Sequence, residues 1–145
     1  MKGYAVGVTT PAAASGAPFA AIRADATHPV YILEMGITNN SATTSSIQIV
    51  RALTNGTATT SVLGQQQDPR DAAGTGLVET AWAAAPTIGT NVPSRRILFT
   101  NAGQGVIFTW VLDRPLVVPV SSSVLLWNFG ALTASALSYY VVWIE

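Results

Sequence analysis

The chain has 145 residues, one histidine, no cysteine and a formal net charge of zero from seven basic and seven acidic side chains. That length suits one domain around a single core. The missing cysteines exclude a disulfide frame, a thiolate metal site and a cysteine nucleophile. The neutral balance gives no electrostatic steering toward nucleic acid or anionic lipid.

Charged residues amount to 10% and hydrophobic ones to 49%, where about 25% charged is usual for soluble domains. Part of the surface must therefore be covered by Ser, Thr, Asn and Gln, or by neighbouring subunits. In chain order, residues 1–21 (MKGYAVGVTTPAAASGAPFAA) come first. Gly3, Gly7, Thr9, Thr10 and Pro11 interrupt any signal-type apolar run, and no stretch reaches the roughly 18 apolar residues of a membrane span. The segment is poor in large apolar residues and reads as an extended N-terminal arm whose Tyr4, Val6, Val8 and Phe19 anchor it on a neighbour. Residues 22–145 then form one domain.

From residue 30 onward the apolar pattern has period two. YILEMGIT (31–38) puts Tyr31, Leu33, Met35 and Ile37 on one face, and SIQIVRAL (46–53) is β-branched and ends at the turn pair Asn55-Gly56. Residues 65–76 read as an exposed loop and 77–83 as a strand carrying Trp82. ILFT (97–100), VIFTWVL (106–112), LVVPV (116–120), VLLWNF (124–129) and LSYYVVWIE (137–145) follow, each bounded by turn residues. Pro119 cannot donate to a ladder, which places its strand at an edge or a bulge. Short strands at about ten-residue spacing with no helical period predict an all-β, jelly-roll-like antiparallel sandwich of roughly eight strands.

If the strands around the NNSATTSS loop form a hairpin with positions summing to 85, Thr38 faces Ile47, Gly36 faces Ile49 and Glu34 faces Arg51. The expectation is a structural ion pair, Glu34 with Arg51, that fixes register. A catalytic constellation is hard to assemble. His28 is alone, too few for a cupin-like metal site; there is no G-x-S-x-G or phosphate-binding glycine loop, and Lys2 is the only lysine. Asp68 and Asp71 flank Pro69-Arg70 in a loop, and Asp113 sits at a turn. No enzyme, cofactor or metal is expected.

The aromatics sit on strands. Trp110 shares a face with Val106, Phe108 and Leu112, and Trp143 shares one with Leu137, Tyr139 and Val141. The opposite faces, with Tyr140, Val142 and Ile144, are apolar too. Strands apolar on both faces need cover on both, which makes Tyr140, Val142, Ile144 and Trp82 interface candidates beside those of the arm.

The run YILEMGITNNSATTSSIQIVRALTNGT, and the ending GVIFTWVLDRPLVVPVSSSVLLW with ALSYYVVWIE, resemble small structural proteins of tailed bacteriophages over 31–51 and 105–145. The resemblance implies a jelly-roll capsid cement or decoration protein, a homotrimer on the virion surface that binds the major capsid protein and clamps neighbouring capsomers. It carries over no catalytic residue, no nucleic-acid partner and no membrane. Two other readings use the same fold: a tail-fibre or baseplate module that recognises a glycan, for which Trp82 is the candidate aromatic, and a cellular jelly-roll trimer of the signalling-ligand kind.

Overall fold

The computed structural model describes residues 1–145 and contains strands but no helix. Twelve strands run in chain order: β1 Gly3–Thr9, β2 Pro18–Arg23, β3 Val30–Asn39, β4 Ser45–Arg51, β5 Thr57–Leu63, β6 Gln65–Gln66, β7 Leu77–Ala84, β8 Arg95–Phe99, β9 Gly105–Thr109, β10 Leu116–Val118, β11 Ser123–Asn128 and β12 Leu137–Ile144. Two antiparallel sheets face each other. The first, sheet A, has the order β10-β3-β12-β1-β6, with β9 also on β3; the second, sheet B, has the order β5-β7-β2-β11-β4-β8.

Outside residues 57–84 the chain crosses from one sheet to the other between successive strands, except from β4 to β8, which share the second sheet, and from β9 to β10, which share the first. Taking β9 and β10 as two halves of one strand, interrupted where Trp110 N–H bonds Leu33 C=O, the chain traces β1-β12-β3-β9/β10 over β2-β11-β4-β8. That is the strand order of a jelly roll. The count exceeds eight because this strand is split and because residues 57–84 insert β5, β6 and β7, which widen both sheets.

The alternation explains the core. Tyr4 and Val6 of β1, Ile32, Met35 and Ile37 of β3, and Leu137, Tyr139, Val141 and Trp143 of β12 point inward from sheet A. Phe19, Ile22, Ile47, Ile49, Val78, Val124 and Leu126 meet them from sheet B. At roughly 1.5–3 kcal/mol for each large side chain removed from water, this layer is the main source of stability.

Two expectations are corrected here. Residues 1–21 are no arm: β1 lies between β12 and β6, β2 lies between β11 and β7, and Tyr4, Val6 and Phe19 are buried in the chain's own core. The small residues misled, because Gly3, Ala5 and Gly7 alternate with Tyr4, Val6 and Val8. The inward set is large enough for a core strand, while the outward set is small.

The Glu34–Arg51 pair does not form. β3 and β4 belong to opposite sheets, so Glu34 lies opposite Val142 and Thr109, and Arg51 lies opposite Val124. A hairpin would set the apolar faces of β3 and β4 side by side. The crossing through 40–44 stacks them, burying Met35 and Ile37 in one core with Ile47 and Ile49. Arg51 instead donates to Val117 C=O at 2.6 Å.

Strands β3, β4 and β7 to β12 fall where the period-two pattern puts them, to within a few residues. Pro119 directly follows β10, an edge strand of sheet A.

Candidate docking surfaces

β11 is buried along its whole length, on both faces. Its outer face, Leu125 and Trp127, forms a second apolar cluster with Ala21 and Val50, against which Trp82 and Ile88 pack. The chain thus supplies its own cover. After β7 the segment 85–94 crosses the outside of sheet B, tied down by Leu53 N–H to Thr87 C=O (2.7 Å) and Ser94 N–H to Ile49 C=O (2.8 Å). Trp82 is therefore part of the lid on this cluster, its Nε1–H donating to Glu79 Oε2 at 3.1 Å.

Glu79 is buried and also accepts from Arg23 Nη1 at 3.2 Å. The register-fixing ion pair exists, between β2 and β7. Sequence spacing missed it because the 53 residues between the two strands hold two sheet crossings and an insertion, so no hairpin arithmetic connects them.

The outer face of sheet A has no such lid. Three rows of register neighbours cross it: Ala5-Val142-Glu34-Thr109, Gly7-Tyr140-Gly36-Ile107 and Thr9-Ser138-Thr38-Gly105, each read from β1 through β12 and β3 to β9. Glu34 is the one ionisable carboxylate in these rows. Tyr140 O–H donates to Glu34 Oε1 at 2.6 Å, and that bond, with some burial, pushes the phenol above its usual value.

The Tyr140 ring lies on the Gly36 backbone. A Cβ at Gly36 would meet ring atom Cε1 at 1.9 Å, so glycine is needed there for close approach. Of the interface candidates, Tyr140, Val142 and Ile144 are half-buried on this open face, and Val8 is half-buried against the core on the inner side of β1. Tyr4, Val6 and Phe19 are interior, and Trp82 is engaged with the Leu125 cluster and Glu79.

One end of the sandwich is made by the four loops 10–17, 40–44, 100–104 and 129–136, and none of them contains Asp, Glu, Lys, Arg or His. They are cross-linked. Asn128 Nδ2 donates to the carbonyls of Ala13 (2.9 Å), Ala14 (3.1 Å) and Leu132 (2.9 Å). Asn39 Nδ2 joins Thr43 and Asn101 (both 3.1 Å), Ser135 Oγ reaches Thr43 Oγ1 at 3.2 Å, and Ala13 bridges Ala134. The 100–104 loop turns through Gly103 at φ +78°, with Gln104 Oε1 accepting the N–H groups of Thr100 and Asn101. Leu132, 79% exposed, stands out from this end.

The opposite end carries both chain ends and the charged loops. Glu145 accepts from Thr75 N–H (3.0 Å), Gly76 N–H (2.8 Å) and Trp143 Nε1–H (2.9 Å), pinning the loop that follows β6. Burial pushes its carboxyl up, but these bonds together hold it below its ordinary value. The 67–76 loop is thus packed rather than free: Tyr4 O–H also bonds Ala72 C=O at 3.1 Å.

His28 sits in a turn. Asp25 Oδ1 accepts the N–H groups of His28 (2.6 Å) and Thr27 (2.8 Å), which draw its carboxyl well below the usual range. Thr27 Oγ1 lies 2.8 Å from His28 Nδ1, and Asp25 Oδ2 lies 3.6 Å from that same nitrogen. A hydroxyl–imidazole–carboxylate relay needs the two partners on different ring nitrogens, so this trio closes a loop and does not build a nucleophile. Asp68 is held by Arg70, with Arg70 Nη2 2.6 Å from Asp68 Oδ2. Comparison of the chain with protein-family models, with curated proteins and with solved structures found no match.

Proposed function

We propose that the chain is a non-catalytic structural protein of a large protein assembly: a decoration or cement protein on the outer surface of a virion, acting as a homotrimer that binds the major capsid protein. The observation that carries this reading is the polarity of the sandwich. None of the four loops 10–17, 40–44, 100–104 and 129–136 that build one end contains a charged residue, and the cation that reaches them, Arg96 of β8, lies over the Phe129 ring at 4.8 Å.

An uncharged end docks on protein without stripping water from ions, the costly part of burying a charged rim. Because its loops are already tied to each other by Asn39 and Asn128, little conformational freedom is lost on binding. The charged end then faces solvent and keeps the assembly soluble. Strand and loop phrases shared in texture with phage structural proteins point the same way.

The test pairs solution mass with particle labelling. A trimer by light scattering, together with antibody labelling on the outside of intact virions in electron micrographs, is the expected result. Leu132→Asp should remove the labelling while leaving the melting temperature unchanged, since the side chain is exposed. A monomer that labels no particle refutes the reading.

A further inference from the structure

The outer face of sheet A differs in chemistry from the uncharged end. Two hollows of about 380 and 470 Å³ lie on it; Gly7, Thr9, Ser138 and Tyr140 line the first, Gly105, Ile107 and Tyr140 the second, and Gly36 and Thr38 belong to both. They form one trough across β1, β12, β3 and β9, spanning three interstrand spacings, or ~14 Å.

Its floor exists because the register aligns Gly7 and Gly36 in one row and Ser138, Thr38 and Gly105 in the next. Small residues remove the side chains that would fill it. Across the middle lies the Tyr140 ring, one face on Gly36 and the other turned to the trough, its hydroxyl held by Glu34.

We propose that this trough binds a neutral oligosaccharide, with the Tyr140 ring as the stacking platform. A pyranose presents an apolar C–H face and a rim of hydroxyls. The π-face of a fixed aromatic ring, negative at its centre, suits the first; Thr9, Thr38, Ser138 and the Glu34 carboxylate, set around the ring, suit the second.

Locking the Tyr140 hydroxyl to Glu34 fixes the ring before any ligand arrives, which lowers the entropy cost of binding. Glu34 is the only ionisable carboxylate in these rows and has no cation beside it, so uronic or sulfated sugars are disfavoured. A protein partner fits less well. Hot spots fill deep apolar pockets with aromatic or Arg anchors, whereas this floor is glycine and hydroxyl and only Ile107 projects from it. The inference does not rest on the assembly reading.

The experiment titrates isotope-labelled full-length protein with cellotriose, maltotriose and chitotriose, and with trigalacturonic acid as the acidic comparison, following amide signals by NMR. At least one neutral trisaccharide should move the signals of Gly7, Gly36, Thr38 and Gly105 with a Kd of about 1 mM or tighter, and the acid should not. Ser138→Trp and Thr38→Trp, both at exposed positions, fill the trough and should each abolish the shifts with unchanged melting temperature; two variants guard against one failing to fold. Tyr140→Phe keeps the ring but frees it from Glu34, and should weaken binding several-fold.

Absence of saturable shifts with all three neutral sugars overturns the proposal, as does undiminished binding by both tryptophan variants. Shifts of the same signals on dilution alone, without sugar, also overturn it by showing the face to be a contact between copies. Any of these failures leaves the particle-labelling result untouched.

Discussion

Removing Arg23 should cost more than removing the charge of Glu79, although both substitutions break the same ion pair. The Glu79 side chain is 2% exposed and that of Arg23 34%. In Arg23→Met the carboxylate keeps one donor, Trp82 Nε1–H, and stays out of reach of water. Stranding one member of a fully buried pair costs about 3–5 kcal/mol; since Arg23 is partly hydrated, the low end applies, ~3 kcal/mol. In Glu79→Gln the amide oxygen still accepts from Trp82, and the guanidinium finds water, so the loss is ~1 kcal/mol. For a chain of this length ~3 kcal/mol lowers the melting temperature by about 10 °C. The double variant carries no buried charge and should return most of the loss, to ~1 kcal/mol, giving a coupling of about 3 kcal/mol in a double-mutant cycle. Urea denaturation of the four proteins measures it. Equal losses in the single variants that simply add in the double would refute the account of Glu79 as a desolvated charge held by β2.

Two further outcomes follow from the chain's own cover of β11 and from the pinning of the loop after β6. Leu125→Ala opens a cavity beneath Trp82 and Ile88 and should cost about 3 kcal/mol in urea denaturation, whereas Ile107→Thr, at a position 61% exposed, stays within about 0.5 kcal/mol; a loss at Leu125 as small as that at Ile107 would mean that the chain does not cover β11 itself. The Glu145 carboxyl is held below its ordinary value of 4.5, so the unfolded chain takes up a proton before the folded one does. Its contribution is complete above about 4.5 and is lost as pH falls through the folded value. The protection of the Thr75 and Gly76 amides, their exchange rates taken relative to a free peptide at the same pH, should fall across that acid window in the natural chain and be low at every pH in Glu145→Gln; constant protection in the natural chain removes the pin.

The sheets were legible in the sequence wherever burial imposes strict alternation. β3, β9 and β12 show it because their inner sets, Met35 with Ile37, Val106 with Phe108, and Leu137 through Trp143, are all large. β1 hid itself because its outer residues are glycine and alanine, which lowers the average apolarity of the segment while leaving Tyr4, Val6 and Val8 on one side. Pairing is a different kind of information. Whether Glu34 meets Arg51 or Tyr140 depends on which sheet β4 joins, and no local spacing encodes that choice; it is made by the gain from stacking two apolar faces across the sandwich.

The same distinction governs the surfaces. Trp82 reads as an interface aromatic, yet with Ile88 of the 85–94 crossing it packs on the cluster of Leu125 and Trp127 from within the chain, and the total accessible area of 6948 Å² is close to the roughly 7,100 Å² of an ordinary folded monomer of this mass. The case for a partner therefore cannot rest on surplus grease. It rests on where charge is missing: on four loops rigidly joined by Asn39 and Asn128 at one end, and on a sheet face where glycines at 7, 36 and 105 keep the backbone open beside a single fixed tyrosine. Residues that small contribute nothing to the core, and glycine within a strand weakens it. Gly36 is required by the Tyr140 ring that lies on it, whereas a Cβ at Gly7 would meet only Tyr140 Cβ at 3.8 Å; Gly7 is therefore the position whose smallness the fold leaves unexplained and the proposed occupant of the face would explain.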